Sequence, residues 1–377
     1  MNILVVCHYG LYQDLSSSFV HAQAKAYAAL GHRVRVVIPI PIGKVDPSGK
    51  VFGRNILFRV EEGVELCYVR HLSVSKYGTR WFNQAMAFRA VRSVLKKMLR
   101  DFRPDVVHAH TLSNATVGLF LKNAVGCPLV VTTHGSDASI PYERGDMQFL
   151  RQSCDKADAV VAVSSALAKK VHSCGTTTPI YTVLNGFYLK YVSEEMEKDS
   201  LRLIQVGHLN EQKRVHVTID AFAKLREKYS DAKLEIVGSG PQKEVLREQC
   251  QALGLSEFIC FAGQVPNEQA LEKMAKAKFF VMPSVREGFG IVYLEAMASG
   301  CITIGTQGEG IADVIVSGKN GFLVPPDDVD AIVQVIAWCI ENPKEAAAIS
   351  ECGRRDAQTL TWDKNAKEYI EMFKTLM

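Results

Sequence analysis

The sequence predicts an α/β protein made of two doubly wound parallel-sheet units. Three observations carry this. Apolar runs of strand length alternate with helical patterns along nearly the whole chain. The alternation is interrupted at a charged, apolar-poor stretch, Ser193–Ser200, and then restarts. The length, 377 residues, suits two domains better than one.

The elements follow in order. Ile3–Cys7 is unbroken apolar sequence, as in a strand buried on both faces. It has no basic leader and is too short for a signal peptide. Phe19–Leu30 reads as a helix stopped by Gly31, and Arg33–Ile38 as a strand before Pro39 and Pro41. Val64–Val69 is a strand and Asn83–Phe102 a long helix. Asp105–His110, Leu129–Thr133, Ala159–Val163 and Ile180–Leu184 are further strands. The second unit reads as strand Leu201–Val206, helix Val215–Lys228, strand Lys233–Val237 and helix Lys243–Leu253. Strand Ile259–Ala262, helix Gln269–Ala275, strand Phe279–Met282, helix Gly290–Ala298 and strand Ile302–Ile304 continue it. Thr361–Leu376 is a closing helix. Domains over 1–194 and 195–360 are expected to face a cleft, with ligand at the carboxyl ends of the strands.

Composition excludes several classes. With 47% hydrophobic and 22% charged residues the chain is neither disordered nor fibrous. A net charge of +4 does not by itself imply nucleic acid. The ten cysteines form no C-x-x-C pair, which argues against a zinc ribbon and suits a reducing compartment. No apolar run approaches the ~20 residues of a membrane span.

The sharpest local signal is Pro283–Gly300, which leaves a strand and opens a helix. Gly288 and Gly290 permit a tight turn, and the amides around Gly290–Val292 make an anion site suited to a diphosphate. Glu295 lies roughly 7 Å along that helix, within reach of a ribose diol. Glu287 precedes the helix, on the sugar side of the phosphates. The plainer alternative makes Glu287 a solvated loop charge and Glu295 a half-exposed helix residue, but a carboxylate between Leu294 and Ala296 needs a partner. After the second unit's first strand, Lys213 and Arg214 are placed to neutralise a leaving phosphate, or else to form a basic turn before the next helix. His134, in His134-Gly135-Ser136-Asp137, ends a strand of the first unit as a substrate contact or a structural histidine. His108 and His110 share a strand face, yet no third metal ligand accompanies them. Gly238-Ser239-Gly240 resembles a dinucleotide fingerprint with Lys243 where the third glycine belongs, so it fits a tight turn better than NAD.

Together these residues resemble the retaining nucleotide-sugar glycosyltransferases of family 4, which have two Rossmann-like domains (the GT-B fold). The E-x7-E motif, Glu287 and Glu295, is the most specific match. Gly31–Val34, Asp105–His110, His134–Asp137, Val183–Gly186, Lys213, Gly238–Pro241, Gly263 before Val265, Gly321–Pro325 and Thr361-Trp362 support it, over nearly the whole chain. The resemblance implies that Glu295 holds the ribose and Glu287 the transferred sugar. Gly288, Phe289, Gly290, Ile291 and Val292 would bind the diphosphate with Lys213 and Arg214, and Gly263–Val265 would frame the base. His134, Glu287 and Lys213 would be catalytic. His208 stands where many members have arginine, and Ser16, Ser17 and Ser18 where many have a glycine loop; these serines and Asp137 would contact acceptor or phosphate. The helix at 361–377 would pack back on the first domain. The implied activity is retaining, metal-independent hexosyl transfer without a cofactor, from a nucleotide-diphosphate sugar (UDP favoured) to a saccharide or lipid-linked acceptor in glycan, polysaccharide or glycolipid biosynthesis. A non-hydrolysing nucleotide-sugar epimerase and a non-catalytic nucleotide-sugar-binding protein are the alternatives.

Arg89, Arg92, Lys96, Arg100 and Arg103 share one side of the long helix, opposite Val91, Val94, Leu95, Met98, Leu99 and Phe102. Lys76, Tyr77, Arg80, Trp81 and Phe82 precede it as a basic–aromatic cluster. This stripe is either a solvated face or a contact for anionic lipid head groups. The latter suits a cytoplasmic protein held at the inner face of the plasma membrane.

Overall fold

Ile3–Val6 run through an eight-stranded sheet and are wholly buried, as unbroken apolar sequence requires of a strand covered on both faces. The computed structural model describes residues 1–7, 19–42, 56–73, 80–188 and 198–377. Ser16, Ser17, Ser18, Lys76 and Tyr77 lie outside them, as does most of the stretch Ser193–Ser200. The described chain divides into two units, Met1–Asn185 with Trp362–Met377, and Gly186–Thr361.

The first unit contains β1 (Asn2–Val6), α1 (Phe19–Ala29), β2 (Arg33–Pro41), β3 (Ile56–Glu61), β4 (Val64–His71), α2 (Arg80–Met98), β5 (Val106–His110) and α3 (Ala115–Val125). β6 (Leu129–Thr133), α4 (Ser136–Glu143), α5 (Met147–Cys154), β7 (Ala159–Ala162), α6 (Ser165–His172) and β8 (Ile180–Thr182) follow. The strand order is β3-β4-β2-β1-β5-β6-β7-β8, parallel except where β3 pairs antiparallel with β4. This hairpin is absent from the expected all-parallel alternation. Its strand β3 is an edge that carries Arg59 and Glu61 among apolar residues, with Val60 72% exposed.

α2 starts and stops before the expected Asn83–Phe102. Arg35, a buried base on β2, donates to the carbonyl of Met98, and Arg33 Nη1 donates to that of Asp101 at 2.6 Å. These bonds take up carbonyls at the helix end, so Arg100 and Arg103 lie beyond it. Val91, Val94, Met98 and Phe102 are buried, whereas Arg89, Arg92, Lys96, Arg100 and Arg103 are exposed.

The second unit comprises β9 (Asp199–Val206), α7 (Val215–Lys228), β10 (Lys233–Val237), α8 (Lys243–Ala252), β11 (Ile259–Gly263), α9 (Asn267–Lys276) and β12 (Ala277–Val281). It continues with α10 (Ile291–Ala298), β13 (Ile302–Thr306), β14 (Phe322–Val324), α11 (Val329–Glu341) and α12 (Pro343–Gln358). Its six strands are all parallel, ordered β11-β10-β9-β12-β13-β14. Leu203, Leu234, Ile236, Phe279, Ile302 and Ile304 from the strands pack with Ile219, Phe222, Ile332 and Ile336 from the helices. β14, α11 and α12 occupy a region for which the sequence reading assigns no element.

The last helix, α13 (Trp362–Leu376), belongs to the first unit. Its Tyr369 hydroxyl lies 2.9 Å from Thr132 Oγ1, and its Asn365 bonds Gln23 at 2.6 Å and the Leu184 carbonyl at 2.7 Å.

Candidate active site

In the second sheet the chain order reverses between β9 and β12, and the loops leaving their carboxyl ends carry the motif residues. Such a switch point opens a crevice because the two loops diverge to opposite faces. Here they are also knitted together. Gln212 accepts from the Val285 amide at 2.9 Å and donates through Nε2 to the Arg286 carbonyl at 3.1 Å. Gln205, buried on β9, donates to the Lys213 carbonyl at 2.7 Å, and Asn210 Oδ1 accepts from the Lys213 amide at 3.1 Å. So held, Lys213 forms an ion pair with Glu287 across the two loops, with side chains 16% and 13% exposed.

Arg214 turns elsewhere. It adopts left-handed backbone (φ 50°), and its guanidinium lies 3.0 Å from Asp327. The adjacent bases Lys213 and Arg214 thus serve different loops. His208 is exposed beside them.

α10 begins at Gly290, whose φ of 80° disfavours a side chain. A Cβ there would also lie 2.6 Å from the Tyr293 ring and 3.1 Å from Glu287 Cγ. Gly290 makes no side-chain cap, so the helix opens on its own amides at Ile291 and Val292, the polarity that favours an anion. Gly288 and Phe289 are buried in the approach. Tyr293, also buried, anchors the first turn by donating to the Met282 carbonyl at 2.5 Å and meeting Ser284 Oγ at 2.9 Å.

Further along α10, Glu295 accepts from Asn267 Nδ2 at 3.2 Å. Burial raises its carboxyl above the ordinary glutamate range, partly offset by that bond. Asn267 starts α9 just after Val265, so the Gly263–Val265 loop and Glu295 share one corner of the unit.

Gly238 is closed over by the neighbouring loops. A Cβ on it would meet the Gly207 carbonyl oxygen at 1.8 Å, and its amide donates to the Gly263 carbonyl at 2.8 Å. This glycine lets the loops after three neighbouring strands close on one another.

In the first unit, β5 borders that sheet's own reversal, and β6 lies beside it. His134 follows β6. Its Nε2 lies 2.9 Å from Nδ1 of His110, with the two rings stacked at 5.1 Å. Phe19 packs against both rings, its centroid 4.0 Å from that of His134 and 6.4 Å from that of His110. Deeper in the same row, His108 Nε2 is 2.8 Å from Thr132 Oγ1, and burial first, then His110 and His134, hold its pKa well below the ordinary value. Asp137 is a loop organiser. It accepts from Thr133 Oγ1 and from the amides of His134, Gly135 and Leu112 at 2.9 to 3.1 Å.

Sequence reasoning passed over Gln205, Gln212, Asn267 and Glu309, which hold the site from outside the motif, and Tyr293, which anchors it from within. Glu309 accepts from the amides of Arg286 and Glu287 at 2.9 and 2.8 Å. A polar residue within an apolar strand, such as Gln205, is the one such signal visible in the sequence.

Comparison with known proteins agrees with this architecture. Residues 16–191 match the family described as Glycosyltransferase Family 4, and residues 192–356 match Glycosyl transferases group 1. An uncharacterized glycosyltransferase of Methanocaldococcus jannaschii is 30% identical over 301 residues, 72% of this chain and 76% of that one. The sucrose-phosphate synthase of Thermosynechococcus elongatus superposes with a TM-score of 0.82 at 20% identity, covering 100% and 99% of the two chains. Anabaena HepE, solved with UDP and glucose, superposes with a TM-score of 0.75 at 20% identity over 100% of both. With two Rossmann-like units, a glycosyltransferase family matched along each part of the sequence and a glycosyltransferase relative over most of it, this chain is a member of the GT-B glycosyltransferases.

Proposed function

We propose that this glycosyltransferase is a retaining, metal-independent enzyme that transfers a hexosyl unit from a UDP-sugar to a saccharide or lipid-linked acceptor. The observation that carries this is the Lys213–Glu287 ion pair at the opening of α10. A partly shielded ammonium beside uncapped helix amides supplies fixed positive charge where a departing diphosphate accumulates negative charge. When the donor arrives, Lys213 turns to phosphate and Glu287 is released to the sugar hydroxyls. Glu295 takes the ribose diol and Gly263–Val265 the base. His134 is assigned to the sugar near its anomeric carbon. As the bond from that carbon to the phosphate oxygen breaks, the acceptor oxygen attacks the same face and its proton passes to the departing phosphate. With Lys213 and the α10 amides carrying the leaving group's charge, a chelator leaves turnover unchanged. UDP is favoured because HepE, of the same fold, is solved with UDP and glucose.

The test is a thermal-shift panel of UDP-, GDP- and ADP-sugars with NAD(P)H as control, followed by NMR of the product anomer. A donor at 100 times its dissociation constant adds about 2.7 kcal/mol. A shift with NAD(P)H alone, or an inverted product, sinks the assignment.

A second element of the proposal is peripheral attachment to the cytoplasmic face of an anionic membrane. The exposed bases Arg89, Arg92, Lys96, Arg100 and Arg103 support it, as does the lack of any acidic residue in α2. Each base near such a surface contributes about 1 kcal/mol. No helix among the described residues is long and apolar enough to cross a membrane. Sedimentation with phosphatidylserine vesicles should show salt-sensitive binding that charge reversal at Arg92, Lys96 and Arg100 abolishes; no binding, or no change on reversal, defeats it.

A further inference from the structure

We propose that Glu309 is a positioning residue for the transfer reaction, fixing the backbone of Glu287 from a neighbouring loop. This rests on the donor-site assignment above and deepens it. β13 pairs with β12 (Phe279 opposite Ile302), so the loops leaving their carboxyl ends emerge side by side. The β13 loop returns as a strap over the motif loop. One carboxylate oxygen of Glu309 accepts from the Arg286 amide at 2.9 Å, and the other from the Glu287 amide at 2.8 Å. The next residue completes the clamp, the Gly310 amide donating to the Glu287 carbonyl at 3.3 Å. A Cβ on Gly310 would lie 2.1 Å from the Gly288 carbonyl oxygen, so the strap fits only without one.

Arg286 sits at φ 60°, a conformation that non-glycine residues keep only where surrounding bonds enforce it. Two adjacent amides bonded to one carboxylate supply that enforcement with the strength of charge-assisted hydrogen bonds. Glu287 is therefore held at three points: its amide by Glu309, its carbonyl by Gly310 and its carboxylate by Lys213. The first two set the direction in which its side chain leaves the backbone, and misplacing a reacting-site group by about 1 Å costs roughly 100-fold in rate.

The test compares Glu309→Ala and Glu309→Gln with the wild type, using UDP as nucleotide probe and UDP-glucose as donor probe. Without substrate, amide hydrogen exchange over residues 283–290 should quicken about tenfold in Glu309→Ala. kcat should fall about 100-fold, while the donor KM and the UDP dissociation constant stay within about threefold. Glu309→Gln keeps the shape and one acceptor, and should recover part of kcat; it carries the test if the alanine variant folds poorly. Unchanged exchange, or a raised KM with kcat intact, overturns the proposal. A wild type that neither binds UDP nor turns over UDP-glucose refutes the donor assignment instead, and the exchange result still decides whether Glu309 pins the loop.

Discussion

Lys213 and Glu287, 74 residues apart in sequence, close on each other as an ion pair between the two loops that flank the reversal of the second sheet. Neither charge is free in solvent, and each orients the other. The pair sets the ammonium at the mouth of α10, where a diphosphate would lie, and the carboxylate one side chain away.

Lys213→Ala is expected to lower kcat by about 100- to 1000-fold, the usual cost of losing one donor aimed at developing negative charge. Glu287→Ala should act mainly on kcat as well. Glu295→Ala should instead weaken UDP binding by roughly 10- to 100-fold, the value of hydrogen bonds to a charged acceptor. Steady-state kinetics with isothermal titration of UDP separates the two patterns, and an identical KM-only effect for all three variants contradicts the assigned roles.

Glu295 predicts a pH dependence. Its ionised form has more acceptor capacity for the ribose diol, and burial raises its carboxyl above the ordinary range. On acidification the protonated form therefore appears sooner than for a surface glutamate. UDP affinity should fall with decreasing pH from a point above the usual glutamate range, and Glu295→Gln should flatten that limb while binding more weakly throughout. A wild-type profile that parallels the variant's would show that Glu295 is not the titrating contact.

His108 makes a prediction of opposite origin. Its folded pKa lies well below 6.5, because burial and the neighbouring His110 and His134 disfavour its charge. The unfolded chain takes up a proton near 6.5 that the folded chain refuses. The stabilisation is therefore full above that pH and is lost as pH falls from it toward the folded value, at up to about 1.4 kcal/mol per pH unit for one proton. Melting temperature should drop between about pH 7.5 and 5.5. His108→Asn should lessen the slope, and an equal slope in both proteins would remove His108 as its source.

Gly238→Ala tests whether the broken dinucleotide fingerprint is packing. A methyl group 1.8 Å from the Gly207 carbonyl forces the β9 and β10 loops apart. Strain of this kind costs about 1–3 kcal/mol or more, read as a lower melting temperature in the absence of any nucleotide. An unchanged melting temperature with lost UDP binding would instead return the glycine to a ligand-binding role.

The strands that cross both sheets were legible in the sequence because a strand buried on both faces must be continuously apolar, and Ile3–Val6, Val130-Val131 and Phe279–Val281 meet that demand locally. The short helices α5 and α6 escaped. Each is announced by a single capping side chain (Asp146 or Ser164) rather than by a long periodic pattern. The edge strand β3 escaped because its pattern is inverted, with apolar Phe58 and Val60 exposed and Arg59 half-buried.

The same division holds at the site. Sequence alone determined that Glu287 and Glu295 flank the start of one helix, since their eight-residue spacing and the glycines between them act within a single turn of chain. Only the tertiary structure decided which partners those residues have. Lys213 meets Glu287 while its neighbour Arg214 meets Asp327, and His134 stacks on His110. Glu309 holds the motif loop from a strap beyond the next strand. These contacts depend on strand order and on where each loop leaves its sheet, and such long-range geometry leaves no periodicity along the chain.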